Sequence, residues 1–220
     1  MRGAEAVLRK ATVLGMATVV KERIAKGYRE PSLDRRLRKE RTRGEAKLLH
    51  KAKLAGVACP VVFEVEEFAI TMGFLDGGRP DMDAGEAEEA GRMLAKLHEA
   101  DIIHGDYTPA NLIRSKPHQS DRRDPTASSG ACTHSVTTFQ IGSQRAAGYQ
   151  TQFGNGMLYV IDFGLGFVSN NVEDKAVDVF TMLRAIGEKE AFARGYGTYT
   201  KAGAVLARVK EVEKRVRYAF

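Results

Sequence analysis

With 220 residues, 43% of them hydrophobic and 28% charged, the chain has enough apolar material for one large domain or two small lobes. No window approaches the roughly eighteen uninterrupted apolar residues of a membrane helix, and Met1-Arg2-Gly3-Ala4-Glu5 lacks the apolar core of a signal peptide. A soluble cytoplasmic protein with no membrane partner is expected, with a nuclear pool open in a eukaryote, and Cys59 and Cys132, far apart and without ligand spacing, indicate free thiols rather than a disulfide framework or zinc.

Ala4 to Lys10 is compatible with a helical start, and Thr12 to Lys21 is rich in β-branched residues and reads as a strand. Lys21 closes that strand, where its ammonium can reach a phosphate site or lie solvated at the edge. No GxGxxG or GxxxxGK precedes it, so a P-loop is excluded and any glycine-rich phosphate cover is rudimentary, at Gly3 to Ala6. The net charge of +6 is concentrated in residues 21–43, which hold ten Lys or Arg against four acids. Such a band suits RNA or an acidic partner, or is a solvated helix face. It lacks interleaved aromatics for stacking bases.

A long helix is expected from Leu33 to Ala55, with Leu37, Arg41, Gly44, Leu48 and Ala52 on one face and Glu45 at its edge. Glu45 can pair with Lys21 or be one more surface acid. Val57 to Val65 and Phe68 to Met72 read as two strands, and the Gly/Pro loop Leu75 to Pro80 marks a lobe boundary. Beyond it Gly85 to Ala100 is helical, with Ala87, Ala90, Leu94 and Leu97 inward and His98 as a packing or surface histidine. Residues 115–156 turn polar and Gly/Ser/Thr/Gln-rich, an expected mobile insertion that includes a short strand at Val136 to Ile141. A strand from Met157 to Ile161 follows. Helices are then expected at Val172 to Gly187, facing inward with Val177, Phe180, Leu183 and Ile186, and from Lys201 to the end, with Val205, Val209, Val212 and Val216.

The chemistry lies in His104-Gly105-Asp106-Tyr107-Thr108-Pro109-Ala110-Asn111 and in Ile161-Asp162-Phe163-Gly164. An Asp and an Asn five apart on a loop, then an Asp ending an apolar strand, are the polar minimum for phosphoryl transfer: one carboxylate orients the attacking hydroxyl or water, while an amide and a second carboxylate hold metal ions against nucleotide phosphates. Each short motif is weak alone. Their order, with a strand Lys and a helical Glu upstream, is specific.

Outside the insertion the chain resembles the small atypical kinase subunit of the KEOPS (EKC) complex, the PRPK family. The matching residues are Gly3-Ala4-Glu5-Ala6, Val20-Lys21-Glu22-Arg23, Lys26-Gly27-Tyr28-Arg29-Glu30-Pro31-Ser32-Leu33-Asp34, Arg41-Thr42-Arg43-Gly44-Glu45-Ala46, the two motifs above, and Glu173-Asp174-Lys175-Ala176-Val177-Asp178. The resemblance implies an α+β, minimal bilobal protein-kinase-like fold, with a β-rich N-lobe at 1–74 and a small helical C-lobe at 75–220. It implies ATP and magnesium as cofactors, Lys21 on the phosphates, Glu45 positioning Lys21, Asp106 as catalytic base or water-orienting residue, and Asn111 and Asp162 as magnesium ligands. Met72 and Phe74 would contact the nucleotide, and Asp178 would brace the catalytic loop from below.

The implied activity is Ser/Thr protein phosphorylation or ATP hydrolysis in support of threonylcarbamoyladenosine modification of tRNA. The implied partners are KEOPS subunits, chiefly the tRNA threonylcarbamoyltransferase subunit, with tRNA contact through the basic 21–43 region. Two departures stand out: Leu183-Arg184-Ala185 where the family has Glu-Arg-Ala, and a basic tail reduced to Lys214 to Phe220. The HGD form of the loop keeps a small-molecule phosphotransferase as the alternative, with a pseudokinase scaffold behind it.

Overall fold

The first strand pair replaces the expected helical start. In the computed structural model, which describes residues 6–116 and 156–217, β1 (Ala6–Val13) and β2 (Met16–Arg23) form a hairpin in unbroken antiparallel register, from Ala6 opposite Arg23 to Val13 opposite Met16. Leu14 and Gly15 turn the chain with φ of 50° and 78°. Positive φ at both central residues matches the twist of paired strands, but Leu-Gly is not the Asn-Gly signature of such a turn, so one strand was expected where there are two.

β3 (Val62–Val65) and β4 (Ala69–Gly73) complete an antiparallel sheet of order β1-β2-β4-β3. The third strand is shorter than expected because Val57 and Cys59 enter the core before pairing begins. Lys21 lies opposite Ile70 in the middle strands.

Helix α1 (Pro31–Leu54) is started by Glu30, whose carboxylate accepts from the Ser32 and Leu33 amides at 2.9 and 2.7 Å, and by Pro31 in the first turn. Its buried face differs from the expected one. Leu48 and Ala52 are buried, but Leu37, Arg41 and Gly44 are only half-buried, and Asp34, Thr42 and Glu45 take their place. Asp34 and Glu45 face neighbouring cations and the Thr42 hydroxyl donates to the Arg38 carbonyl, so hydrophobic spacing could not locate this part of the inward face.

In the helical part, α2 (Ala84–Glu99) is capped by the Asp83 carboxylate on the Glu86 amide and buries Ala87, Ala90, Leu94 and Leu97 completely. It packs against α4 (Lys189–Tyr196), a helix the sequence pattern did not reveal, through two glycines. A Cβ on Gly91 would lie 2.2 Å from the Phe192 carbonyl oxygen, and one on Gly195 would lie 2.0 Å from that of Glu88. α3 (Val172–Ala185) turns Lys175, Ala176, Asp178, Val179 and Met182 inward; of the expected face Ile186 is buried and Phe180 and Leu183 pack against the core, while Val177 is exposed. α5 (Ala202–Arg217) buries Val205, Val209 and Val212 as expected.

Short strands link these helices. β5 (Gly77–Gly78), β7 (Leu112–Ser115) and β8 (Leu158–Val160) form one sheet, and β6 (Ile102–Ile103) pairs with β9 (Phe167–Val168). One apolar core joins Leu48, Leu49 and Ala52 of α1 to α2, α3, α4 and α5. Most of the expected insertion, with Val136 to Ile141 and Cys132, lies outside the described residues, as do Gly3 to Glu5 and the last three residues of the tail. Among the described residues, no helix is long and apolar enough to cross a membrane.

Candidate active site

Lys21 and Arg23 stand two apart on β2, so both project from the same face of the sheet, toward α1. The Lys21 ammonium donates to Glu45 Oε1 at 2.7 Å and to Asp162 Oδ1 at 2.8 Å. Arg23 Nη2 donates to Glu45 Oε2 at 2.6 Å. Glu45 lies deep in this packing rather than at the edge of a helix face, with 2% of its surface exposed. A carboxylate so far from water needs facing cations, and it has two.

Asp162 follows β8 in a left-handed backbone conformation, φ 61°, which Asp tolerates better than most residues. Burial pushes its carboxyl up, but the Lys21 ammonium, by charge and by hydrogen bond, outweighs burial and holds the group below the usual carboxylate value. The Gly164 amide also donates to Asp162 Oδ1, at 3.1 Å. A Cβ on Gly164 would lie 2.9 Å from that oxygen and 3.1 Å from Arg23 Nη2, so a side chain here would displace one or both of these groups.

The second half of the site is a loop after β6 that ends in a 3-10 turn, Pro109–Asn111. Asn111 Nδ2 donates to both the carboxylate and the carbonyl of Asp106, at 2.9 and 2.8 Å, closing the loop on itself. The Asn111 carbonyl accepts from the Ile161 amide at 2.9 Å, which brings Asn111 beside the residue preceding Asp162. His104, fully buried, makes the other link. Its Nε2 is 3.0 Å from the Ile161 carbonyl, which only accepts, and its Nδ1 is 3.3 Å from the Asp106 amide, which only donates. A neutral imidazole with its proton on Nε2 satisfies both contacts.

Beneath the loop, Asp178 of α3 accepts from the His104 and Gly105 amides at 2.6 and 2.8 Å, the bracing arrangement expected of it. His98 is a packing histidine: its ring is fully buried, with Nδ1 2.7 Å from the Tyr196 hydroxyl and Nε2 3.5 Å from Asp178. Burial pushes its pKa below the ordinary imidazole value despite the Asp178 carboxylate beside it. Lys175, also buried, donates to the His98 carbonyl, the Asp101 carboxylate and the Tyr199 hydroxyl.

Lys21, Glu45 and Asp162 are therefore brought together, and Asp106 and Asn111 form a second cluster tied to the Ile161-Asp162 segment. Met72 is buried in β4, opposite Val19 and Val62, while Phe74 follows that strand with Lys10 Nζ 4.6 Å from its ring centre. Arg23, His104 and Lys175 were not singled out from the sequence. For Arg23 a signal existed, its two-residue spacing from Lys21 on one strand. No group of three His, Cys, Asp or Glu gathers among the described residues. Asn111 and Asp162 would hold a cation only together with other oxygens, as magnesium sites completed by nucleotide phosphates do.

No family model matches the chain. Its sequence is 38% identical over 210 residues to the "Probable serine/threonine-protein kinase BUD32 homolog" of Archaeoglobus fulgidus, covering 91% of this chain and 88% of that one. It is 32% identical over 216 residues to the "Probable bifunctional tRNA threonylcarbamoyladenosine biosynthesis protein" of Methanosarcina mazei, covering 93% of this chain but 32% of the relative. The protein of the same name in Methanothermobacter thermautotrophicus is 32% identical over 231 residues, with 36% of its length covered. The chain thus spans about a third of these bifunctional relatives. Among solved structures, the Rio2 kinase–ADP/Mg2+–phosphoaspartate complex from Chaetomium thermophilum superposes with a TM-score of 0.60 at 14% identity, over 99% of this chain and 69% of that one. WaaP in complex with acyl carrier protein gives 0.54 at 15% identity, over 97% and 86%. At such identities these likenesses establish the fold, that of an atypical kinase with an antiparallel-sheet N-lobe and a helical lobe.

Proposed function

The chain belongs to the Bud32 family of small atypical serine/threonine kinases, and from that premise we propose that it uses magnesium-ATP, transferring the γ-phosphoryl group to a protein hydroxyl or to water in support of tRNA threonylcarbamoyladenosine synthesis. The observation that carries this reading is the Lys21 ammonium held between Glu45 and Asp162, 24 and 141 residues away in sequence. Lys21 would turn toward the α- and β-phosphates, with Glu45 fixing its position. Met72 and Phe74, beside that strand, would contact the nucleotide.

Asn111 and Asp162 would hold magnesium, which when bound neutralises the charge that builds on the transferring phosphoryl group. Asp106 would orient the attacking hydroxyl and take its proton, with the Asn111 amide holding its carboxylate in direction. His104 and Asp178 touch neither substrate nor phosphate in this scheme. They keep the Asp106 backbone in place.

The bifunctional relatives support a proposal for the partners. In those chains a segment like this one occupies about a third of a tRNA threonylcarbamoyladenosine biosynthesis protein, which supports KEOPS subunits, chiefly the threonylcarbamoyltransferase, as the partners here. A tRNA contact through residues 21–43 draws on fewer cations than their number suggests. Lys21, Arg23, Arg29 and Arg38 pair with acids and are buried or half-buried, so the contact would rest on exposed groups such as Arg43, and on Arg35 and Arg36, whose acid partners lie at the surface.

Asp162→Ala tests the whole reading. It removes a proposed magnesium ligand and one of the acceptors of Lys21, and magnesium-ATP turnover by the full chain should fall to background. Turnover equal to that of the unaltered chain would sink the proposal.

A further inference from the structure

We propose that Arg23 is a positioning residue of this site: it holds Glu45 so that Lys21 stays available to the phosphates. The inference rests on the functional reading above and adds a residue to it. Three observations carry it. Arg23 is buried, 5% exposed, although Arg is among the residues rarely found inside. Its Nη2 meets Glu45 Oε2 at 2.6 Å while Lys21 occupies Oε1, so the two cations divide one carboxylate between them. Its guanidinium also borders the turn carrying Asp162, since a Cβ on Gly164 would come within 3.1 Å of Nη2. The backbone shares in the placement, because the Arg23 amide donates to the Phe68 carbonyl at 2.8 Å and fixes where the side chain leaves the strand.

The charge balance shows what this does. Lys21 and Arg23 face Glu45 and Asp162, two cations against two carboxylates. When Lys21 turns to phosphate and Asp162 to a cation, Glu45 still lies far from water, with 1% of its side chain exposed, and still needs a counter-charge. Arg23 supplies it without moving. Without Arg23, Glu45 would draw the Lys21 ammonium to itself and away from the nucleotide. The loss should therefore fall mainly on nucleotide binding and less on the chemical step.

The test compares Arg23→Gln, Arg23→Lys, Glu45→Gln and the Arg23→Gln/Glu45→Gln pair in the full chain, with Asp162→Ala alongside. For Arg23→Gln, KM for magnesium-ATP should rise about tenfold while kcat stays within about threefold. Arg23→Lys keeps the charge but not the planar fork, and should restore KM to within about threefold of the unaltered chain. In the Glu45→Gln background, Arg23→Gln should add less than about twofold, because a residue acting through Glu45 has nothing left to act on. A merely structural ion pair would shift the unfolding midpoint without this pattern.

The role is overturned if Arg23→Gln leaves KM within about twofold of the starting value, or if its effect multiplies with that of Glu45→Gln. Should Arg23→Gln fail to fold, Arg23→Lys decides alone, and a tenfold rise in KM there overturns the role. Loss of turnover in Asp162→Ala beside an unchanged Arg23→Gln refutes this inference and leaves the site intact. Unchanged turnover in Asp162→Ala removes the site and this role with it.

Discussion

On the sheet side of the site, Lys21, Arg23, Glu45 and Asp162 are held by opposite charges that meet across 22, 24 and 141 residues of chain. On the helical side, His104, Gly105 and Asp106 are held by backbone amides bound to a buried carboxylate and to a neutral imidazole. Long charged side chains keep their attraction over several rotamers and can change partners, and Lys21 already divides itself between two carboxylates. Amides have no rotors and need directed acceptors. In the proposed reaction the sheet side would thus exchange partners as a nucleotide arrives, and the helical side would stay still while it does.

The sharpest way to break this contrast is Asp178→Ala. It leaves the buried His104 amide and the more exposed Gly105 amide without their acceptor, and an unsatisfied buried group costs on the order of 1–3 kcal/mol. Unfolding free energy in urea should fall by about 1–3 kcal/mol, and turnover by at least about a hundredfold, because Asp106 loses its frame. A loss of less than about 1 kcal/mol would mean that the loop does not depend on this carboxylate.

Lys21→Met should produce the opposite balance, a large loss of turnover with a smaller loss of stability, since Arg23 remains to face Glu45. It also makes a pH prediction. Asp162 lies below its ordinary value of 3.8 in the folded chain, so its pairing favours folding above that pH and the contribution is lost as pH falls through the lowered value. In Lys21→Met burial acts with much less opposition, the carboxyl moves up, and the acid loss begins at higher pH. Titration of the Asp162 carboxyl carbon by NMR reads this directly. An unmoved value would show that Lys21 does not set it, and the sheet side would lose its main charge contact.

The two sides were also unequally legible in the sequence. Motif spacing singled out Asp106, Asn111 and Asp162 as candidates because phosphoryl chemistry constrains residue type and order together. Lys21 and Glu45 became candidates by the same logic, but the depth of Glu45 was missed, since the hydrophobic pattern of α1 marks its buried face only at Leu48 and Ala52, C-terminal to it. Asp178 was legible only through family resemblance; the apolar Val177 beside it proves exposed, and Asp178 itself points inward. α4 escaped notice because eight residues carry little periodicity and its contact with α2 depends on two glycines, which leave no apolar signature. The β1–β2 hairpin escaped because its turn bears Leu14, a residue that sequence rules place almost anywhere else.

That turn allows the finest test of the contrast. Leu14 is 90% exposed and holds φ at 50°, a conformation that costs a side chain with a full Cβ about 1–2 kcal/mol and that Asn adopts more readily. Leu14→Asn removes little packing, so the unfolding free energy should rise by about 0.5–1 kcal/mol. Lys21 lies six residues along β2 from Gly15, about 20 Å at the rise of an extended strand, with the ladder between them in unbroken register. If the sheet side acts through local charge contacts, a firmer turn at its far end changes stability alone, and turnover and KM stay within about 1.5-fold of the unaltered chain. A larger change in KM would mean that the position of Lys21 follows the stiffness of the whole hairpin, and the sheet side would then share the mechanical character assigned to the helical one.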